Sequence, residues 1–276
     1  MPKAITKILN GEGIADDIFA ELSEKIEKFR VKPSIAVIMV GLDLESEGFQ
    51  HFSDKVRETG IDMQAFGLED DVSQDEVVAL IDKLNGNKKI HGILVQLPLP
   101  DEMDQNLILD MVDPNKDLEG FHPENLGWIS LGEPRIVPST AQAVLRLLES
   151  TKISLEGKEI CILGDNEFIS RPLGQMFLSK EASVTILDEI KDVITKKADI
   201  IITALDDPNV LKKEMIKTHA VIIDITGDVD FEDVKEKASY ITPWPKGVES
   251  LMTASLLMNA WKVMLKNEGY EEEDVE

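Results

Sequence analysis

Cysteine is nearly absent from this sequence. Cys161 is the only one among 276 residues, so no disulfide can form within the chain. Disulfides are rare in reducing surroundings, and the composition therefore predicts a cytoplasmic protein. Because Cys161 lies in the apolar run ICIL, we interpret it as an inert core thiol rather than a nucleophile.

Basic residues and long apolar runs are also scarce. Lysine and arginine total 29 against 53 acidic residues, which gives a net charge of -24. Nucleic acid and anionic membrane surfaces would repel such a chain, so neither is an expected partner. No apolar run reaches membrane-spanning length, and the opening residues MPKAITKILNG lack the apolar stretch of a signal peptide.

Aromatic residues make up only 5% of the chain. We interpret Trp128, Trp244 and Trp261 as core or interface packing, because the acidic charge argues against stacking on nucleic acid. The histidines have no cysteine or carboxylate near them at a metal-ligand spacing. We therefore predict no metal site.

What the sequence does contain is an alternation of helix-period and strand-like segments. Its length of 276 residues predicts two domains. In the first half, SIAVIMVG and KIHGILVQ read as strands between amphipathic helices, and the stretch from Asp113 to Thr140 follows neither period. In the second half, EICIL, ASVTILD, DIIITAL and HAVIIDI are near-continuous apolar runs, typical of parallel strands covered on both faces. The predicted fold class is α/β with a doubly wound parallel sheet in the second half. The charged tail GYEEEDVE is expected to be disordered.

The segment ILGDNEFISRPLG runs from a buried strand into a helix. Backbone N–H groups at such a turn lie at the positive end of the helix dipole and can hold a nucleotide phosphate. Asp188 ends the next strand, where dinucleotide-binding folds place an acid for the ribose 2′-hydroxyl. The full G-x-G-x-x-G pattern is absent, and Asp165 places a negative charge directly after Gly164. On these residues alone, a phosphate-binding turn and a plain α/β turn are about equally favoured.

Five blocks of sequence carry a wider resemblance. HGILVQLPLP, DPNKDLEGFHPENLG, ILGDNEFISRPLG, GDVDFEDVKEKASYITPWPKGV and MTASLLMNAW resemble the bifunctional methylenetetrahydrofolate dehydrogenase/cyclohydrolase family, in that family's order and at nearly its spacing. The resemblance implies a homodimer whose N-terminal α/β domain carries the folate cleft and is rejoined by the last helix. It also implies a C-terminal Rossmann-like domain that binds NADP or NAD. We expect the domains at residues 1–139 with about 263–276, and at residues 140–262.

The resemblance assigns the folate site to the first half. Gln96 matches a glutamine that hydrogen-bonds at the reactive centre, and Glu119 replaces an aspartate that anchors the pterin ring. Asp117 matches the preceding acid and is interpreted as structural. Leu97 and Pro98 follow Gln96 and are expected to adjoin the substrate.

A tyrosine and a lysine, four residues apart on one helix, complete the folate site in that family, and the lysine assists hydrolysis of the methenyl bridge. Alignment places Phe49 and Ser53 at these positions, or Phe52 at the lysine in the other register. Neither register supplies an amine. Lys55 is the candidate substitute, although its helical angle differs and a solvated surface position is the plainer interpretation.

The resemblance assigns the dinucleotide to the second half. Relatives carry Arg-Ser where this chain has Asp-Asn, and no arginine of that motif remains to offset the aspartate. Larger residues replace several of the family's glycines, which brings close approach of a ligand to the backbone into question. The cofactor-binding candidates are Gly164, Asp165, Asn166, Ser170, Asp188, Glu189 and Thr226.

Two functions follow from these residues. The first is oxidation of 5,10-methylenetetrahydrofolate by hydride transfer to a nicotinamide cofactor, with weak or absent cyclohydrolase activity. The second is an inactive homologue that keeps the fold as a binding or scaffold protein. For the enzyme, the acids Asp165 and Asp188 favour NAD over NADP, although NADP is the commoner cofactor of the family.

Overall fold

The computed structural model describes residues 6–270, so the last six residues of the predicted charged tail lie outside it. The chain divides into two compact units. The dinucleotide unit, named for the role expected of it, contains residues 1–15, 128–134 and 138–255. The folate unit contains residues 16–127, 135–137 and 256–276.

The dinucleotide unit is built on a six-stranded sheet in which every neighbouring pair is parallel. The strand order is β1-β9-β8-β7-β5-β6, and the central strands are buried runs of isoleucine, leucine and valine. The strands are β1 Lys7–Ile8, β5 Glu159–Leu163, β6 Ser183–Leu187, β7 Ile200–Thr203, β8 Val221–Asp224 and β9 Tyr240–Ile241. Its shorter helices are α6 Ser139–Ser150, α7 Ser170–Leu178, α8 Asp192–Thr195 and α9 Phe231–Val234, with a 3₁₀ turn at Lys213–Met215.

The folate unit is built on a three-stranded parallel sheet of order β3-β2-β4. Its core joins this sheet to the apolar face of the last helix, including the buried Trp261. The strands are β2 Ser34–Val40, β3 Asp62–Leu68 and β4 Gly92–Val95. The helices are α2 Glu47–Glu58, α3 Gln74–Asn85 and α4 Gln105–Asp110. The remaining helices have residues in both units: α1 Gly11–Lys28, α5 Pro123–Ser130 and α10 Glu249–Glu268.

The unit boundaries differ from those expected from the sequence. Residues up to Ala15 belong with the six-stranded sheet, because β1 pairs with β9 at its edge. The last helix passes from one unit to the other at Leu256, seven residues before the expected point. The stretch expected to be irregular contains α5.

The strand order fixes where the turn at Gly164 lies. Strand β5 has β6 on one side and β7 on the other, so the chain reverses its direction of winding at the carboxyl end of β5. Ligands of open α/β sheets bind at such a topological switch point. Gly164 follows β5 directly and therefore lies at this point.

Candidate functional site

The backbone next to Gly164 leaves no room for a side chain at this position. The φ of Gly164 is +105°, and an added Cβ would lie 2.0 Å from the carbonyl oxygen of Ala204. Its N–H donates to the Leu187 carbonyl at 2.7 Å, so the turn is held between the ends of β6 and β7. No other residue fits this position without displacing backbone.

Asn166 accepts hydrogen bonds from the backbone on both sides of the start of α7. Its side-chain oxygen accepts from the N–H groups of Phe168 and Ile169, at 2.8 and 3.1 Å. Its carbonyl accepts from Ser170 and Arg171. Earlier in this turn, the amides of Asp165, Asn166 and Glu167 have no acceptor among the described residues. A phosphate would be held by these three rather than by the helix itself.

Ser170 is buried, with no accessible surface, and its hydroxyl donates to the Gly164 carbonyl. The sequence placed this side chain among the cofactor contacts. In the fold it lies beneath the turn and fixes the shape of Gly164, because burial and its hydrogen bond leave it no outward-facing atom.

The charge of Asp165 is compensated within the turn. Arg171 donates to both carboxylate oxygens, Nε to Oδ1 at 3.1 Å and Nη2 to Oδ2 at 3.3 Å. This hydrogen-bonded pair lowers the pKa of Asp165 below its usual range. The expectation that no arginine offsets Asp165 was therefore wrong. Two opposite charges six residues apart across a strand-turn-helix were the available signal, but only the fold shows that the helix turns Arg171 back onto the loop.

Asp188 lies exposed at the end of β6, one residue beyond the Leu187 carbonyl that binds Gly164. It has no hydrogen-bond or ion-pair partner among the residues that the structure describes. Glu189 is also exposed and pairs with Lys191 at 3.5 Å. Asp188 is thus the acid at this edge that is available to a ribose hydroxyl.

The loops after β7 and β8 are joined by a buried carboxylate that the sequence did not single out. Asp228 accepts the amides of Leu205 and Asp207 at 2.9 and 2.8 Å, and the hydroxyl of Thr226 at 2.7 Å. To donate to a cofactor, the Thr226 hydroxyl would therefore have to give up its hydrogen bond to Asp228. Asp206, after β7, has a positive φ of +57°, a conformation that aspartate tolerates better than most residues.

Asp224, at the end of β8, organises the second of these loops. Its carboxylate accepts from the Thr203 hydroxyl and from the amides of Gly227, Asp228 and Val229. Burial raises the pKa of Asp224, while these hydrogen bonds oppose the rise. The loop at Thr226 is consequently fixed before any ligand binds.

On the folate unit, Gln96 directly follows β4 and is half-buried. Its backbone N–H donates to Ile38, and its side-chain amide donates to the Leu97 carbonyl at 3.1 Å. The side-chain carbonyl oxygen of Gln96 faces no donor in the described part of the chain. Leu97 is half-buried and Pro98 is exposed, so the segment presents both polar and apolar surface.

Two buried charges hold the segment that carries Glu119. Lys116 donates from Nζ to the carbonyls of Leu84, Asn85 and Asn87, at the C-terminal end of α3. Burial lowers the pKa of Lys116. Asp117 accepts the amides of Glu119, Gly120 and His122 and the side chain of Asn125. Burial raises the pKa of Asp117. The expected structural role of Asp117 is confirmed by these contacts.

The same segment lies beside β4. A parallel bridge joins Asp117 to Ile93 of β4. Along the chain, Glu119 comes two residues after Asp117, and Gln96 comes three residues after Ile93. The carboxylate and the amide that the resemblance assigns to the substrate thus both follow this one bridge.

The helix α2 supplies no amine at the positions of the family's tyrosine and lysine. Phe49 and Phe52 are partly buried against the core, with ring centroids 6.1 Å apart. Ser53 is half-buried one turn after Phe49. Ser46 caps this helix by accepting a hydrogen bond from the Phe49 amide.

Lys55 is directed to a different set of residues. Its Nζ lies 3.0 Å from the Glu58 carboxylate and 5.3 Å from the ring centroid of Phe19 on α1. The side chain of Lys55 is 26% exposed. A contact between Lys55 and substrate would require this amine to leave both partners.

In residues 6–270 no group of three or more histidine, cysteine or acidic side chains is arranged to bind a metal ion. Among these residues, no helix is both long and apolar enough to cross a membrane. The free amides at residues 165–167 and the exposed Asp188 fit a dinucleotide, because they offer donors to a pyrophosphate and an acceptor to a ribose.

A doubly wound parallel sheet with this turn at its switch point defines a dinucleotide-binding class of protein. Family models agree and are more specific: residues 9–119 match the tetrahydrofolate dehydrogenase/cyclohydrolase catalytic domain, and residues 138–268 match its NAD(P)-binding domain. The chain belongs to this family of enzymes.

Individual relatives support the assignment along nearly the whole chain. The bifunctional protein FolD of Oceanobacillus iheyensis is 38% identical, over 92% of this chain and 95% of the relative. The solved bifunctional enzyme FolD of Campylobacter jejuni is 34% identical, with a TM-score of 0.89 over 95% of this chain and 99% of that one. The Trypanosoma brucei methylenetetrahydrofolate dehydrogenase-cyclohydrolase, solved with NADP and an inhibitor, is 26% identical with a TM-score of 0.90, over 96% and 99%.

Proposed function

We propose that the protein oxidises 5,10-methylenetetrahydrofolate with NAD and that its cyclohydrolase activity is weak or absent. The observation that carries the first part is the position of Gln96 and the Glu119 carboxylate after the bridge that joins Ile93 to Asp117. Hydrogen bonds of the buried Lys116 and Asp117 hold the segment that carries Glu119. The bound nicotinamide would accept the hydride that leaves the one-carbon bridge. Gln96 and Glu119 would bind and orient the folate for that transfer.

The second part of the proposal concerns the hydrolytic step. Water adds to the methenyl bridge with help from an amine in the family, and such acid–base assistance is worth roughly a hundredfold to ten-thousandfold. Here α2 offers Phe49 and Ser53, and the one lysine of that helix, Lys55, is held by Glu58 and Phe19. We infer a loss of hydrolysis without a loss of hydride transfer.

The choice of NAD rests on the charges at the end of β6. Asp188 is exposed and can accept a hydrogen bond from the free ribose hydroxyl of NAD, whereas it would repel the 2′-phosphate of NADP. The one arginine near the turn, Arg171, is already bonded to Asp165 at both oxygens. Assembly into a homodimer and a cytoplasmic location stay predictions of the sequence.

Calorimetric titration with NAD, NADP and a folate analogue, each separately, tests the binding part. NAD should bind, NADP should bind about tenfold to a hundredfold more weakly, and the folate analogue should bind independently of either. Equal or tighter binding of NADP would contradict the choice of cofactor. Failure of all three to bind would favour a scaffold protein.

Decay of methenyltetrahydrofolate absorbance, compared with the rate of NAD reduction on 5,10-methylenetetrahydrofolate, tests the catalytic part. Hydrolysis should be about a hundredfold slower or more, and Lys55→Ala should change neither rate. Ser179→Ala, an exposed position on the dinucleotide unit, controls for effects of expressing and purifying a variant and should also change neither rate. Efficient hydrolysis that Lys55→Ala abolishes would show that Lys55 moves to the folate and that our assignment of it is wrong.

A further inference from the structure

Trp244 is a large aromatic side chain at the surface of the dinucleotide unit. The residue is 58% exposed, whereas Trp261 is 3% exposed. Trp244 follows β9 by three residues, at the carboxyl edge of the six-stranded sheet. An exposed indole offers a large apolar face on which a ligand ring can stack.

One face of the indole is covered by the loop after β8. A Cβ added to Gly227, whose φ is +90°, would lie 3.1, 3.3 and 3.4 Å from the Trp244 atoms Cδ2, Cε2 and Cε3. Because Cδ2 and Cε2 form the bond shared by the two rings, Gly227 lies against the ring face and not its rim. The loop that carries Gly227 is itself fixed by Asp224. The indole is therefore held flat, with its other face directed away from this loop.

The strand order places this face along the course of a bound dinucleotide. Asp188 follows β6, the turn at Gly164 follows β5, and the Gly227 loop and Trp244 follow β8 and β9. A dinucleotide whose adenosine ribose binds Asp188 and whose pyrophosphate binds the turn continues toward β7, β8 and β9. The ring that reaches Trp244 is then the nicotinamide.

The charge at this edge favours the oxidised form of that ring. Asp206 and Asp207 follow β7 and are exposed, and the oxidised nicotinamide is a cation whereas the reduced ring is neutral. Tryptophan offers the best side-chain face for a cation. Stacking and charge thus point to the same occupant.

We propose that the outer face of Trp244 is the stacking surface for the oxidised nicotinamide ring and that it makes the protein bind NAD more tightly than NADH. This inference rests on the proposed function, since it requires a dinucleotide at the Gly164 turn. It adds a specificity residue that the family assignment does not supply.

The test is calorimetric titration of the full chain and of Trp244→Leu with three probes: NAD, NADH and ADP-ribose, which lacks the nicotinamide. The Kd for NAD should rise about three- to tenfold in the variant. The Kd for NADH should rise less, because the cationic contribution is absent, and the Kd for ADP-ribose should not change. Trp244→Phe should retain part of the NAD affinity.

Tryptophan fluorescence gives a second readout. NAD should quench the emission of the unmodified protein and of the control Trp128→Phe, and the quenching should be lost in Trp244→Leu. Equal weakening of NAD and ADP-ribose, or unchanged NAD affinity, would overturn the assignment of Trp244 while leaving a dinucleotide site in place. Failure of the unmodified protein to bind either NAD or ADP-ribose would overturn the dinucleotide site itself.

Discussion

The dinucleotide unit and the folate unit differ in how they hold the residues that we expect to depart from the family pattern. In the dinucleotide unit these residues have hydrogen-bond partners: Asp165 is bonded to Arg171 and Ser170 to Gly164. In the folate unit, Phe49 and Phe52 pack against the core.

The difference has a physical reason. A turn is held by hydrogen bonds, so a new polar side chain can be satisfied by a neighbour a few residues away. A side chain on a helix is fixed in direction by the helical period, and the direction of Lys55 leads to Glu58 and Phe19. On our proposal, the dinucleotide site therefore tolerates substitution better than the hydrolytic site does.

The largest effect should come from the backbone of the turn. Gly164→Ala would place Cβ 2.0 Å from the Ala204 carbonyl oxygen, and we expect the free energy of unfolding to fall by about 3–5 kcal/mol. Gly157→Ala is the matched control, since that glycine also has a positive φ, of +68°, but nothing within 4 Å of an added Cβ. It should cost about 1–2 kcal/mol. Urea denaturation measures both, and equal losses would show that the turn tolerates the close contact.

The next effect restores what the folate unit lacks. Ser53→Lys returns an amine to the helix face that the family uses, and we expect methenyltetrahydrofolate hydrolysis to rise by about a hundredfold. Ser53→Ala should leave the rate low. Phe52→Lys tests the other register in the same absorbance assay. No gain in either lysine variant would mean that something other than the missing amine limits hydrolysis.

The smallest effect concerns the compensated charge. Asp165→Asn removes a carboxylate and frees Arg171 from its partner, so the affinity for NADP relative to NAD should rise by about tenfold. The double variant Asp165→Asn with Arg171→Gln should lose this gain, because the cation is then absent. Calorimetric titration of both cofactors provides the measurement. An unchanged preference in the single variant would contradict a role for the pair in cofactor choice.

Local sequence was enough for much of the fold. The buried strands β2, β5, β7 and β8 were predicted from their apolar runs. Strand β3 was not predicted, because Asp62–Leu68 is largely exposed and has no apolar alternation. Strands β1 and β9 have two residues each and exist through their pairing.

The sequence by itself determined the family, the α/β class and the residue types at each site, because these depend on apolar period, turn residues and ordered motifs. Tertiary structure alone decided which of those residues have partners. It paired Asp165 with Arg171, buried Ser170 and Asp228, turned Lys55 toward Glu58 and Phe19, and exposed Trp244 over Gly227. The reason is that a side chain's role depends on the direction in which the fold points it, and on what lies within hydrogen-bond reach there.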